Sequence, residues 1–355
     1  MPILARMLGA PVSVDIGSGA VAGLAPLLSD RRISSGGRVA VAVGPGIGEE
    51  VAAALESTLS ACDTFVVTDG TVDEAWRLVE QVRRSSGGSS YDALVGIGGG
   101  RTLDVAKYAA TMAGLPMVAV ATSLAHDGLA SPVASLSQAG RKASIGVQMP
   151  IAVVVDLDYV RRSPLRLRRS GVGEAVSNLS ACADWELARD VRGEQVDGLA
   201  AMLARNAGEA VLHHPGGLDS EGFLHSLAES LVLSGLAMTF AGSSRPCSGG
   251  CHEISHALDQ LQLGEGTHGE QAGLGALFAL FLRDDPRTAQ VDACFRRHGL
   301  PRVPSDIGIS KEGFARAVEL APSTRPDRYT VLEHLAMDGD DIRKAVADFV
   351  DAFAD

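Results

Sequence analysis

The chain has 355 residues, a length that favours two domains over a single hydrophobic core. Its net charge of −12 excludes the basic face that nucleic-acid binding needs, and 46% hydrophobic with 21% charged residues is an ordinary globular balance. No apolar run approaches the ~20 residues of a membrane span, and the first residues do not resemble a signal peptide. Five scattered cysteines predict no disulfide framework. We therefore expect a cytoplasmic protein that binds neither nucleic acid nor membrane.

Short apolar runs alternate with helical patterns through the first 160 residues. Strands are predicted at 38–43, 64–68, 92–97, 117–121 and 151–155. Helices are predicted between them at 49–59, 72–84 and 102–113. This alternation predicts βαβ units and a parallel sheet. Beyond it the pattern is helical, at 174–190, 195–212, 223–241, 251–261, 270–282 and 311–320. The predicted fold is an α/β domain over residues 1–160, followed by an all-helical domain over 161–355.

Three consecutive glycines, Gly98, Gly99 and Gly100, separate a predicted strand from a predicted helix. Glycine lets the backbone approach a pyrophosphate, and the N-terminus of the helix offers unpaired N–H groups. The pattern differs from a G-x-G-x-x-G sequence after the first strand, so a tight turn without a ligand remains an alternative. Asp104 and Lys107 lie three residues apart on the helix, where a surface ion pair is the simplest interpretation.

Three of the nine histidines lie within 17 residues, at His252, His256 and His268. The first two are four residues apart on a predicted helix and therefore share a face. His268 stands at the start of the next predicted helix, so a helix-turn-helix can bring it to the same ion as His252. Neutral imidazole is a preferred ligand of zinc and similar metals. A chance grouping of core or solvated histidines is the alternative.

Two other zinc motifs overlap this cluster. Residues 252–256 spell H-E-x-x-H, the signature of zinc proteases, but the metzincin extension would need glycine and histidine where the chain has Asp259 and Gln262. A protease also has no use for a preceding nucleotide-type domain. Cys247 and Cys251 suggest a zinc finger, yet the C-x3-C-H-x3-H spacing is too tight for one. Both readings are disfavoured.

Several sequence blocks resemble the iron-containing alcohol dehydrogenase and dehydroquinate synthase superfamily, in particular its glycerol-1-phosphate dehydrogenase branch. The blocks occur in the right order and cover most of residues 90–280. They are GIGGGRTLDVAKYAA, VATSLAHDGLASPVAS, GVGEAVSNLSACADWELA, SSRPCSGGCHEISHALD and THGEQAGLG. The resemblance implies a Rossmann-like dinucleotide-binding domain and a helical metal- and substrate-binding domain, the dehydroquinate synthase-like fold.

The resemblance also implies roles for individual residues. It gives the cofactor pyrophosphate to Gly98, Gly99, Gly100 and Asp104, and the nicotinamide end to Thr122, Ser123 and Ser131. It implies that the metal ligands are Glu174, His252 and His268. Asp127 would lie beside the substrate hydroxyls, and His256 would relay a proton without binding the metal. Separately, Arg245 is a candidate for the substrate phosphate because it lies close in sequence to the histidine helix; a surface arginine is the alternative.

Glu174 is a departure from the branch, whose members usually carry aspartate at the first ligand position. Glutamate there is closer to the dehydroquinate synthases, which leaves the substrate open. The residue is predicted in the first turn of a helix that begins after Gly171 and Gly173. A carboxylate there is also favoured by the helix dipole, so a purely structural role is the alternative.

The reaction implied by the resemblance is reduction of dihydroxyacetone phosphate, or a similar small phosphorylated ketone, to sn-glycerol 1-phosphate. The implied cofactors are NAD(H) or NADP(H) and one divalent metal, with zinc first and nickel or iron next. A homo-oligomer is expected. Two other classes remain: a sugar-phosphate cyclase or lyase that recycles NAD, which Glu174 fits, and a nucleotide-binding protein without turnover, which an intact metal triad disfavours.

Overall fold

A computed structural model describes residues 10–34, 38–59, 62–84, 90–138 and 140–354. The expectation of no signal peptide rests partly on residues 1–9, which lie outside the described residues. The chain divides into two compact units. Unit 1 extends to Ser123 and resumes over Gly128–Ser163; unit 2 comprises Leu124–Asp127 and the chain from Pro164 onward. The sequence predicted one boundary after residue 160, whereas the structure also assigns a four-residue segment of the first half to unit 2.

Unit 1 contains eight strands within the described residues. They are β1 (Ser13–Gly17), β2 (Val39–Val43), β3 (Asp63–Val66), β4 (Ala93–Gly98), β5 (Met117–Ala121), β6 (Val133–Gln138), β7 (Arg141–Gly146) and β8 (Ala152–Asp156). Six form a parallel sheet in the order β1-β8-β5-β4-β2-β3, which confirms the predicted α/β class. Its four inner strands are apolar and fully buried, as is typical when helices cover both faces of a parallel sheet. Edge strand β1 is half exposed, and its sequence SVDIG gave no strand prediction.

The helices of unit 1 follow the predicted alternation. They are α1 (Leu24–Leu28), α2 (Ile47–Ala54), α3 (Glu56–Leu59), α4 (Val72–Arg84), α5 (Gly100–Ala113) and α6 (Leu157–Arg162). The glycine turn links β4 to α5. Since Gly98 at the end of β4 pairs with Ala121 at the end of β5, the glycine turn and residues 122–123 lie at the same edge of the sheet. Parallel α/β sheets bind their ligands at this carboxyl edge.

An antiparallel hairpin of β6 and β7 was not predicted from the sequence. It is attached to two buried residues of α5 that pair with each other, since Lys107 Nζ lies 2.9 Å from Asp104 Oδ1. Asp104 Oδ2 accepts a 3.1 Å hydrogen bond from the backbone N–H of Ser135 in β6, and Lys107 donates to the carbonyl of Val133. The pair expected at the surface is therefore an internal clamp between helix and hairpin.

The regular secondary structure in the described residues of unit 2 is entirely helical. Its helices are α7 (Leu165–Arg192), α8 (Gly198–His213), α9 (Glu221–Ala241), α10 (Gly250–Gln260), α11 (His268–Leu282), α12 (Thr288–His298), α13 (Lys311–Thr324), α14 (Val331–Leu335) and α15 (Gly339–Phe353). The predicted all-helical architecture is confirmed. Helices α12, α14 and α15 had no sequence prediction.

Helix α7 begins nine residues before Glu174, at Leu165, and continues through Gly171 and Gly173. The prediction that these glycines start the helix is wrong, because they are packing positions. A Cβ on Gly171 would lie 2.0 Å from the carbonyl oxygen of Leu124, and one on Gly173 would lie 2.1 Å from that of Gly269. Because glycine has no side chain, the backbone of α7 can approach Leu124 at Gly171 and helix α11 at Gly173.

Among the described helices, α9 alone has the length and apolar composition that a membrane crossing would require. Residues buried inside the protein make up 61% of its most apolar window, a property shared by core helices of globular domains.

A methyl group at the contact between α7 and α11 should destabilise the protein. We expect Gly173→Ala to lower the free energy of unfolding by about 1–3 kcal/mol or more, since neither helix backbone can move aside cheaply. Gly198→Ala is the matched control: it also lies in a helix, but a Cβ there meets no atom within 4 Å. Alanine at 198 should be neutral or stabilising by up to about 1 kcal/mol. Urea denaturation of both variants measures this, and equal stabilities would contradict the packing argument.

Candidate metal centre and cofactor cradle

Helices α10 and α11 present the three clustered histidines. His252 and His256 lie four residues apart on α10, as the sequence predicted, and His268 is the first residue of α11. The rings of His252 and His268 are 5.1 Å apart between centroids, while the ring of His256 lies 6.4 and 6.3 Å from them. The pair His252–His268 is therefore the tightest of the three.

Glu174 on α7 completes a group of three potential ligands. Its Oε2 lies 3.9 Å from His252 Nε2 and 3.7 Å from His268 Nε2, and one ligand atom from each residue lies within 4.8 Å of the others. Ligands around a tetrahedral zinc with bonds of about 2.1 Å would be about 3.4 Å apart, so a small inward movement would suit the ion. The chain thus brings together the three residues for which the sequence suggested metal binding.

The electrostatics of this group favour a cation. Oε2 of Glu174 is buried and has no hydrogen-bond partner within the described part of the chain. Burial, and then the negative charge of Asp127, raise the pKa of Glu174 well above its usual value, although the Asp127 backbone N–H donates to the carboxylate and opposes this. Burial also lowers the pKa of His252 well below its usual value, with further contributions from His268 and His256. Two imidazoles beside a buried carboxylate oxygen without a hydrogen-bond partner among the described residues form a donor set that a divalent cation fits.

Neighbouring side chains orient the two histidine ligands. His268 Nδ1 lies 3.3 Å from the hydroxyl of Ser255, which donates to Gln271 Oε1 at 2.9 Å. His252 Nδ1 lies 3.3 Å from Cys251 Sγ. With each Nδ1 engaged in this way, Nε2 of both rings is the nitrogen nearest Glu174. Contacts of this kind hold metal-binding imidazoles in one orientation.

Glu253 does not have the surroundings of a protease base. It is fully buried, and its Oε2 accepts a 3.1 Å hydrogen bond from the hydroxyl of Thr330. Burial, together with the charges of Glu333 and Asp184, raises its pKa to about 9. A neutral, enclosed carboxylic acid cannot activate water at a metal at neutral pH, which agrees with rejection of the zinc-protease interpretation.

The position of Glu174 in helix α7 differs from the predicted one. The residue lies in the middle of this helix, beyond the first turn in which the dipole of a helix stabilises carboxylates. The expectation that Glu174 occupies a first turn is wrong. The helix dipole therefore does not explain why a carboxylate stands at this position. Asp127, the last residue of the segment that belongs to unit 2, lies beside Glu174 through its backbone hydrogen bond.

Arg245 is engaged elsewhere. Its Nε and Nη2 form a two-pronged ion pair with Glu194 at 2.7 and 2.8 Å, Nη2 also donates to the carbonyl of Tyr329, and the residue is 6% exposed. This geometry argues against the substrate-phosphate role suggested by its place in the sequence, since Glu194 already neutralises the charge. Sequence reasoning gave no role to Arg325, whose Nη2 lies 3.2 Å from His256 Nε2.

The cofactor cradle lies in unit 1, at the carboxyl edge of the sheet. A Cβ on Gly98 would lie 2.8 Å from the side chain of Thr102, so only glycine fits this turn. Gly99 precedes α5, and Gly100 is its first residue, which leaves the backbone N–H groups of the first turn available to an anion. Thr122 donates its backbone N–H to the carbonyl of Gly98 at 3.0 Å.

The remaining cofactor candidates are buried around this turn. Ser123 is the nearest neighbour of a Cβ built on Gly99, at 3.3 Å, and Ser131 contacts the ammonium group of Lys107. Asp104 is 3% exposed and occupied by Lys107 and Ser135. These contacts give Asp104 the role of supporting the cradle and its hairpin, in place of the direct pyrophosphate contact that the resemblance implied.

Comparison with known proteins agrees with the fold and identifies the family. The family model for iron-containing alcohol dehydrogenases matches residues 15–164. Glycerol-1-phosphate dehydrogenase (NAD(P)+) of Archaeoglobus fulgidus is 38% identical over 277 residues, which cover 76% of this chain and 78% of the relative. The enzyme of the same name from Staphylothermus marinus is 34% identical over 331 residues, which cover 91% of each chain. The crystal structure of a probable glycerol dehydrogenase from Sinorhizobium meliloti superposes with a TM-score of 0.74 at 24% identity over 99% of both chains and shares the fold. The resemblance seen in the sequence is confirmed: the chain belongs to the NAD(P)-dependent glycerol-1-phosphate dehydrogenase family of oxidoreductases.

Proposed function

We propose that this protein reduces dihydroxyacetone phosphate to sn-glycerol 1-phosphate, with NADH or NADPH as the hydride donor and one divalent metal ion held by Glu174, His252 and His268. The observation that carries the proposal is the buried, orphaned Oε2 of Glu174, less than 4 Å from two histidine nitrogens. Three protein ligands leave a fourth coordination position for substrate. Zinc is the first candidate and nickel or iron the next, since two imidazoles and one carboxylate suit all three.

The cation would act at this site as a Lewis acid on the C2 carbonyl oxygen. Glu174 contributes the single negative charge of the ligand set, and Ser255 holds the ring of His268 through Nδ1. Asp127 lies beside Glu174 and is the candidate to bind the substrate hydroxyls. The glycine turn and the first turn of α5 would bind the cofactor pyrophosphate, with Thr122, Ser123 and Ser131 toward the nicotinamide.

His256 is the proposed proton relay. Its Nε2 lies 3.2 Å from Nη2 of Arg325. Because a guanidinium group only donates, Nε2 must accept, and the proton of the neutral ring must reside on Nδ1. His256 would therefore pass the Nδ1 proton, directly or through water, to the oxygen that becomes the alcohol of the product, and a proton from water would replace it so that the ring returns to its neutral form.

A cyclase or lyase that recycles NAD is the second candidate, and Glu174 is the observation that favours it. The two classes differ in their use of cofactor. A dehydrogenase consumes reduced cofactor in proportion to product, whereas a cyclase returns it at every turnover.

The first functional prediction concerns turnover. Metal-replete protein mixed with NADH or NADPH and dihydroxyacetone phosphate should lose absorbance at 340 nm in proportion to product, and a chelator should abolish the reaction. Restoring activity with zinc, nickel or iron identifies the competent metal. Absence of turnover across phosphorylated and unphosphorylated ketones would rule out the dehydrogenase, and product formation without net cofactor loss would favour the cyclase.

The second concerns the carboxylate ligand. Glu174→Gln nearly keeps the shape but removes the charge, so it should lose most of its bound metal. Glu174→Asp should keep part of its metal, because the backbone of α7 is placed for a side chain one methylene longer than aspartate. Glu253→Gln is the matched control: burial raises the pKa of Glu253 to about 9, so its side chain is already uncharged at neutral pH and the variant should keep its metal. Elemental analysis measures all three, and full occupancy in Glu174→Gln would remove this residue from the site.

The third prediction distinguishes the roles of the two histidines of α10. His252→Ala should lose metal, because it removes an imidazole from the triad. His256→Ala should keep most of the metal while slowing turnover about 10- to 100-fold, the range typical of groups around a metal site. Metal content and kcat are measured on the same preparations. Equal metal loss in the two variants would make His256 a ligand and restore the H-E-x-x-H arrangement.

A further inference from the structure

A buried carboxylate on α7 contacts the ends of three other helices. Asp184 is fully buried and follows Glu174 by ten residues, which is about 15 Å along the helix axis. Its Oδ2 accepts a 2.8 Å hydrogen bond from the backbone N–H of Gly250, the first residue of α10. Its Oδ1 accepts a 2.8 Å hydrogen bond from the N–H of Val331, the first residue of α14, and another from Nη2 of Arg283, which follows α11. Both oxygens of Asp184 are therefore engaged by other elements of unit 2.

The start of α10 depends on this carboxylate, because the helix has no capping side chain of its own. Its N-cap residue is Gly249, whereas helix N-caps usually carry a side-chain oxygen that accepts a backbone N–H. Asp184 supplies such an oxygen from α7, and its negative charge suits the N-terminus of a helix. A Cβ on Gly249 would lie 2.4 Å from Asp184 Oδ2, so the glycine admits the carboxylate. The beginning of α10 is consequently attached to α7 two residues before His252.

Arg283 attaches the far end of α11 to the same carboxylate. Its Nε donates to the carbonyl of Ala279 at 3.3 Å, which holds the guanidinium group against its own helix. The ion pair with Asp184 is enclosed, since the arginine side chain is 15% exposed and the aspartate side chain is fully buried. Removing one partner of such a pair leaves an uncompensated buried charge. Helix α11, which begins at His268, is therefore fixed to α7 at its other end.

We infer that Asp184 is a positioning residue of the metal centre, which sets the separation of Glu174, His252 and His268 by joining the three helices that carry them. This inference rests on the metal centre of the proposed function. Each ligand comes from a different helix, so the spacing of the ligand atoms, which lie within 4.8 Å of one another, follows from how those helices are held. The glycine contacts fix α7 to α11 beside the ligands, and Asp184 adds the attachment of α10.

The principal test is Asp184→Asn, which nearly keeps the shape of the side chain. An amide has one accepting oxygen, so a backbone N–H at the start of α10 or α14 loses its partner, and Arg283 loses its counter-charge. We expect zinc binding to weaken about 10- to 100-fold, as is typical when a group around a metal site is changed. Competition with a chromophoric chelator measures this affinity. Cobalt(II) bound in place of zinc should show an altered visible absorption spectrum, because that spectrum reports the geometry of the ligands.

A matched control separates positioning from general loss of stability. Asp292 on α12 also pairs with an arginine, accepting a 2.6 Å hydrogen bond from Arg302 Nε, but it is on none of the three ligand helices. Asp292→Asn should lower the urea midpoint of unfolding and leave both the zinc affinity and the cobalt(II) spectrum unchanged. Affinities are compared well below the unfolding transition of each variant.

A second variant keeps the carboxylate and removes its cation. Arg283→Gln leaves the hydrogen bond from Gly250 to Asp184 in place, so we expect a smaller, several-fold loss of zinc affinity in the same direction. Arg283 stands fifteen residues after His268, so an effect on the metal must pass through Asp184 or α11. If Asp184→Asn does not fold, this variant decides the inference.

The outcomes distinguish the inference from the function on which it rests. Zinc affinity and a cobalt(II) spectrum equal to those of the wild type in both Asp184→Asn and Arg283→Gln overturn the inference and leave the proposed function intact. An equal change in Asp292→Asn overturns it as well, since the effect would then be general. Absence of zinc binding by the wild type overturns the proposed metal centre and the inference together. Neither readout needs turnover, so failure to reduce any ketone overturns the proposed reaction alone.

Discussion

Direct backbone contact between α7 and α11 sets the geometry of the metal triad. Glu174 follows Gly173 in the sequence, and His268 precedes Gly269. A Cβ on Gly173 would lie 2.1 Å from the carbonyl oxygen of Gly269, and one on Gly269 would lie 1.9 Å from that of Ser170. Because both positions are glycine, the helices approach closely enough for the carboxylate and the imidazole beside them to come within 3.7 Å. The ligand distances are consequently fixed by rigid helices rather than by loops, which is the arrangement that keeps a metal site in shape.

This rigid placement has an electrostatic cost when no cation is bound. Glu174 is held in a buried position near the negative charge of Asp127, and no neighbouring donor satisfies its Oε2. An isolated buried carboxylate is strongly unfavourable, and it responds by taking up a proton. A divalent ion bound there would remove that cost by replacing the proton. Metal affinity and the stability of unit 2 would then be thermodynamically linked, because a ligand that binds only the folded chain stabilises it.

The sequence was most informative where function depends on local spacing. Two histidines four residues apart on one helix, and a third at the start of the next, predicted that the imidazoles meet, because helix geometry sets the first interval and the short turn between α10 and α11 sets the second. It was misleading at Gly171 and Gly173, since a glycine that starts a helix and one that packs against a second helix look the same in one dimension. It predicted the pairing of Asp104 with Lys107 but placed the pair at the surface, because the β6–β7 hairpin that covers it was not predicted. The contact between Arg325 and His256 gave no usable signal, because the two residues are 69 apart in the sequence.

Glu253 shows why the H-E-x-x-H motif could not identify the chemistry. Adjacent residues on an α-helix point about 100° apart, so a side chain next to a metal ligand need not face the metal. Here His252 faces Glu174, while Glu253 is buried against Thr330 with its pKa raised to about 9. In that neutral form Glu253 accepts a hydrogen bond from Thr330, in the segment just before α14. The residue that would act as the base of a protease is therefore a packing residue of α10 here, and the motif alone does not identify the reaction.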